Sequence, residues 1–158
     1  MKTIIIKNSY NKGDIYGDDY VGGLIAYCSL NNNITNCYNS GEIHGKRCCG
    51  GFIGQEYAQS SITNSYNEGN IICEEGNDAY AGGLIAYQGT RNEIKDSYNL
   101  GNIKINSNRS GYAGGLMAYI NDRGDYINCY NEGDMDINTP NDTTYAIYIG
   151  GLIGYRKL

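Results

Sequence analysis

The sequence predicts an all-β protein: a β-solenoid of five coils with hairpin extensions and no caps, residues 1–158 forming one domain. Three observations predict it. The first is composition, since 158 residues hold 23 Gly and 17 Tyr but one Pro, one Phe and no Trp. Tyr and Ile favour pleated strands, whereas Asn and Gly favour tight turns. The second is a pair of short blocks that alternate five times. The third is the spacing of those blocks.

One block reads Asn/Asp-Ser/Cys-Tyr-Asn-x-Gly and begins at Asn8, Asn36, Asn64, Asp96 and Asn128. The other reads Gly-Gly-apolar-Ile/Met-Ala/Gly and begins at Gly22, Gly50, Gly82, Gly114 and Gly150. From each Gly-Gly to the next Asn block the distance is constant at 14 residues: 22 to 36, 50 to 64, 82 to 96, 114 to 128. Between the glycine closing an Asn block and the next Gly-Gly lie 8, 8, 12, 12 and 16 residues. Each increment is a multiple of four. Two residues added to each of two arms keep every inward side chain inward, because side chains alternate along a strand. A constant arc plus a lengthening hairpin is therefore expected, with coils of 28 to 36 residues.

Alignment of the copies yields columns. Ile6, Ile34, Ile62, Ile94 and Tyr126 form one, and Ile15, Ile43, Ile71, Ile103 and Met135 another. Leu24, Phe52, Leu84, Leu116 and Leu152 run beside Ile25, Ile53, Ile85, Met117 and Ile153. Tyr10, Tyr38, Tyr66, Tyr98 and Tyr130 are expected to stack at the strand spacing of about 4.8 Å. Asn11, Asn39, Asn67, Asn99 and Asn131 are expected to form an amide ladder. The glycine two residues after each of them suits a backbone position of positive φ.

The segments Gly-Leu-Ile-Gly (151–154), Gly-Phe-Ile-Gly (51–54) and Gly-Leu-Ile-Ala (23–26 and 83–86), each with its Ser/Cys-Tyr-Asn-x-Gly block, resemble GLUG repeats. That family occurs in bacterial surface and secreted proteins, including adhesin-like proteins and non-catalytic regions of IgA-cleaving metallopeptidases. The resemblance covers essentially the whole chain. It implies a β-solenoid in an extracellular or cell-surface setting and brings no catalytic residues.

Open solenoid ends expose apolar columns and unpaired strand edges, which monomeric solenoids cover with polar terminal repeats. Neither terminal repeat here departs from the pattern. Joining the last Gly-Gly to a fresh Asn8 would leave 16 residues against the internal 14. The expected function is thus structural: head-to-tail self-assembly into a filament, since an uncapped heterologous contact grows an open fibre when its rotation does not close. The contact residues expected are Thr3, Ile4, Ile5, Ile6 and Tyr10 at one end. Tyr148, Leu152, Ile153 and Tyr155 are expected at the other. The alternative is an adhesin-type module, excerpted from a larger surface protein, that binds surface glycans or other surface proteins.

Chemistry-bearing residues are few. One His, His44, stands without a Gly-x-Ser-x-Gly or His-Glu-x-x-His motif, so no enzyme activity, cofactor or metal is expected. Cys37 and Cys129 replace Ser in a repeat column and read as small buried residues. Cys28, Cys48, Cys49 and Cys73 have no cysteine at the equivalent positions of other coils; they read first as free or buried thiols and otherwise as candidates for an intersubunit disulfide in an oxidising environment. Net charge is −5 without a basic run, which argues against a nucleic-acid partner. No apolar stretch reaches the roughly 18 residues of a spanning helix, so no membrane insertion is expected, and no export signal is legible. Sequons at Asn33, Asn108 and Asn141 are what chance gives in so Asn-rich a chain.

Overall fold

The computed structural model describes residues 2–140 and 144–157, and none of these is helical; the sequon at Asn141 lies outside the described residues. The first coil consists of β1 (Thr3–Lys7), β2 (Tyr10–Asn11), β3 (Ile15–Tyr16), β4 (Tyr20–Gly22) and β5 (Ile25–Cys28). The same five strands recur in every later coil and pair only with their equivalents above and below. Five parallel five-stranded sheets result, each running through the coils in order. The repeat columns are the register: Ile6, Ile34, Ile62, Ile94 and Tyr126 are successive Cα partners. So are Ile15, Ile43, Ile71, Ile103 and Met135. The solenoid expectation holds.

Two cores fill each coil. The first packs Ile34, Ile62 and Ile94 against Phe52, Leu84, Leu116 and the Ile53, Ile85, Met117 column, all fully buried. The second lies between the faces equivalent to β3 and β4, where Ile43, Ile71 and Ile103 meet Cys49, Ala81 and Ala113. Burying one such Ile contributes about 2 kcal/mol. Asn39, Asn67 and Asn99 are buried beside the Gly-Gly turns, and their amides form a continuous ladder.

Two local expectations need correction. The expected hairpins are not hydrogen-bonded hairpins, for no antiparallel pair occurs among the described residues. Each arm gives its backbone groups to the neighbouring coils and its side chains to the opposite arm, which makes a β-arc. Adding two residues per arm preserves the inward set for the same reason as in a hairpin: Cys73 pairs with Ile105 and Ile105 with Ile137, all facing the second core. In the third coil the arm Ile71–Gly76 carries a register shift between Glu74 and Gly76, with Glu75 at φ 64°.

The second correction concerns the corners. No described glycine has positive φ; apart from Glu75, the left-handed positions are Asn8, Asn36, Asn64, Asp96 and Asn128, at φ 48–54°. Asn and Asp tolerate that conformation better than other side chains. The glycines serve close approach instead. A Cβ at Gly41, Gly69, Gly101 or Gly133 would overlap the glycine carbonyl of the coil before it. A Cβ at Gly23, Gly51, Gly83 or Gly115 would overlap that of the coil after it.

Candidate assembly faces

The first and fifth coils lie at opposite ends of all five sheets, and no described element covers either outer edge. The residues expected at the contact are thus brought into two groups, one at each end. On the first coil, Ile4 and Ile6 point inward and are half-buried, Ile6 packing against the first core. Ile5 points outward and is 64% exposed, in a column with Asn33, Ser61, Glu93 and Asp125. It therefore belongs to the flank, where an aspartate would only extend a polar column. Thr3 shares that outward face, and Tyr10 covers Tyr38 with ring centroids 5.0 Å apart.

On the fifth coil, Leu152 and Ile153 continue columns that are fully buried one coil below, yet Leu152 is 37% exposed. Tyr148 and Tyr155 extend two outward ladders, Tyr148 stacking on Tyr112 at 5.2 Å and Tyr155 lying tilted against Tyr119 at 5.1 Å. The sequence reading missed Ile147 and Ile149, both about half exposed, in the strand Ile147–Gly150. Ile149 occupies the column of Val21, Cys49, Ala81 and Ala113, all buried. Counting back from Gly150 would have found it.

Glycine contacts distinguish the ends from the interior more sharply than exposure does. Gly151 stands where Gly23, Gly51, Gly83 and Gly115 stand in their coils, yet a Cβ there would meet nothing within 4 Å. Gly13 stands where Gly41, Gly69, Gly101 and Gly133 stand, and a Cβ there would meet only its neighbour Asn11, at 3.9 Å. The backbone agrees. Gly23, Gly51, Gly83 and Gly115 donate their N–H groups to the glycine carbonyls Gly50, Gly82, Gly114 and Gly150 of the next coil, at 3.2–3.3 Å. Gly151 N–H has no acceptor among the described residues.

The four cysteines expected to link subunits lie inside the chain's own core: Cys28, Cys48, Cys49 and Cys73 are each at most 3% exposed. They are packed within the chain's own coils, so an intersubunit disulfide through them would require the coil to open locally. Burial pushes the Cys48 thiol up to about 12, the wrong direction for a reactive thiolate. All six cysteines are unpaired thiols.

Sugar binding by the tyrosines meets a geometric obstacle. Within the Tyr10 column successive rings lie 4.7–5.4 Å apart and within 12° of parallel. The ring faces that would receive a pyranose already stack on one another, and the column presents phenol edges outward. Among the described residues no group of three or more His, Cys, Asp or Glu could hold a metal.

The interior contains one buried carboxyl among the described residues, Glu56. Its oxygens accept from Asn32 Nδ2 at 2.8 Å and meet Ser60 Oγ at 2.6 Å. Burial nonetheless dominates and raises its pKa to about 7. Gln88, its register partner in the next coil, is fully buried with both amide atoms unpartnered.

No family model matches the sequence, and no curated protein matches it. Among solved structures the fold is similar to that of a candidate immunoglobulin A1 protease from Bacteroides ovatus, at 18% identity and a TM-score of 0.46. The likeness spans 94% of this chain and 66% of that one, so the chain corresponds to just under two thirds of its neighbour's length.

Proposed function

We propose that this chain is a structural protein that assembles head to tail into a β-solenoid filament, the fifth coil of one copy receiving the first coil of the next. The observation that carries the proposal is the pair Gly13 and Gly151. In the inner coils each glycine of these two columns is dictated by the carbonyl of an adjoining coil, and at the two ends glycine persists where nothing adjoins it. Glycine in a strand-rich fold is destabilising unless close approach requires it. An adjoining coil from a second copy supplies that requirement at both positions together. It also shelters Leu152, Ile149 and the unpaired edges. Each copy would add roughly 24 Å of length, five strand spacings of about 4.8 Å.

The setting proposed is the cell surface or the extracellular space, on the resemblance of the paired blocks to GLUG repeats of surface and secreted proteins. The role is architectural and non-enzymatic. Negative-stain imaging of the purified chain tests it. Filaments of one coil's width are expected, and Gly151→Ala should abolish them while leaving the circular dichroism of the fold unchanged. A single particle of one chain at high concentration would overturn the proposal.

A further inference from the structure

The ladders inside the solenoid have a direction, and this direction dictates which ends can meet. Each ladder amide donates through Nδ2 to the Oδ1 of the next coil: Asn11 to Asn39, Asn39 to Asn67, Asn67 to Asn99 and Asn99 to Asn131, all at 2.7–2.8 Å. The amide orientation is fixed independently, because Nδ2 also donates to the glycine carbonyl two residues on, as Asn67 does to Gly69 at 2.7 Å. A carbonyl can only accept, so a flipped amide would lose that bond. At the fifth coil Asn131 Nδ2 has Gly133 O as its only acceptor among the described residues, which leaves it one N–H unused there. At the first coil Asn11 Oδ1 lacks the amide donor that every inner ladder oxygen has.

A second ladder runs with a sense of its own. The side-chain oxygen of one coil accepts the backbone N–H of the next, as Asp14 Oδ1 does from Glu42, Asn70 Oδ1 from Asn102 and Asn102 Oδ1 from Asp134. The fifth coil therefore offers Asp134 Oδ1, and the first offers Asp14 N–H. One charge pair favours the same register, since Lys12 and Glu132 occupy one repeat column, immediately after Asn11 and Asn131, and it offsets the like charges of Asp14 and Asp134 that the register brings together.

Resting on the assembly proposed above, we infer that the joint is polar and in register. Asn131 donates to Asn11 of the next copy, Asp134 accepts from Asp14, and Glu132 faces Lys12. Two fifth coils meeting face to face would set amide N–H against N–H and Glu132 against the same acidic edge. Two first coils would set acceptor against acceptor and Lys12 against Lys12. Both like-end joints are disfavoured, and one partner surface remains for each end.

Two blocked variants test this. Gly13→Ala closes the first-coil face and Gly151→Ala the fifth-coil face, at positions where the single chain has room for the added carbon. Circular dichroism first confirms that both remain folded. Sedimentation of either variant alone should show single chains, and the equimolar mixture should show a dimer and nothing larger. A dimer from either variant alone would overturn the polarity while leaving self-assembly standing. A mixture that stays monomeric, with wild type also monomeric, would refute the assembly itself. Register has its own readout. Lys12→Glu, placed in the Gly151→Ala chain, should weaken the mixed dimer roughly fivefold, and Glu132→Lys in its partner should restore it. Unchanged affinity in the first pairing would overturn the in-register joint.

Discussion

The inner and outer coils share the same columns, filled for the most part by the same residue types, and differ chiefly in what lies against them. Ile34, Ile62 and Ile94 are fully buried, whereas Ile6 and Tyr126 of the same column are half-buried. Gly115 is pressed by Gly151 from the coil after it, and Gly151 by nothing. In the glycine columns side-chain identity is thus constant along the stack while its energetic consequence is not. A repeat protein's stability is a sum of coil and interface contributions, and the end coils lack one interface each. Substitutions paired across the two regions put that difference to measurement.

The largest effect is expected at glycine. Gly83→Ala forces a Cβ onto the Gly115 carbonyl and should cost more than about 4 kcal/mol or prevent folding, as read by thermal unfolding. Gly151→Ala should leave the melting temperature of the single chain within a degree or so. Next comes the core. Ile62→Ala should cost about 3 kcal/mol in denaturant unfolding, and Ile6→Ala about half as much in the unassembled chain. Equal losses at the two positions would show that the first coil is better covered than the structure has it.

Glu56 adds a dependence on pH that belongs to the inner coils alone. Its folded pKa, about 7, lies above the ordinary value of 4.5, so the folded state binds the proton more tightly. That stabilising proton is fully effective below about pH 4.5 and is lost as pH rises through 7, with a swing on the order of 3 kcal/mol. Glu56→Gln should flatten the rise in stability between pH 8 and pH 5. A profile identical to wild type would remove Glu56 as its source. The smallest effect is expected on the flank, where Tyr66→Leu loses two ring stacks and should cost about 1 kcal/mol. The same change at Tyr10, which stacks on one side only, should cost about half of that.

Much of this architecture was legible from spacing. Columns such as Ile15 to Met135 became the register without adjustment, because parallel in-register stacking is the one arrangement in which identical spacing brings identical residues together. The parity of the insertions correctly gave that a longer arm keeps its inward set inward, although it did not show that Cys73 belongs to that set. It could not separate a hairpin from a β-arc, since both alternate with the same period and differ only in where the backbone groups bond. The glycine corners were misread for a related reason. Positive φ and close approach both demand glycine, and in the folded chain Asn36 turns the backbone while Gly41 makes room for its neighbour. Among the expected contact residues, Ile5 was assigned to an end by its place in the sequence, but alternation along β1 turns it to the flank.

The central claim is that the fifth coil is completed by the first coil of another copy. Sedimentation equilibrium of the wild-type chain across a wide concentration range tests it most directly. The expected result is a weight-average mass that keeps rising with concentration, and that falls to one chain when Gly151→Ala is introduced. A mass fixed at one chain across the whole range would contradict it.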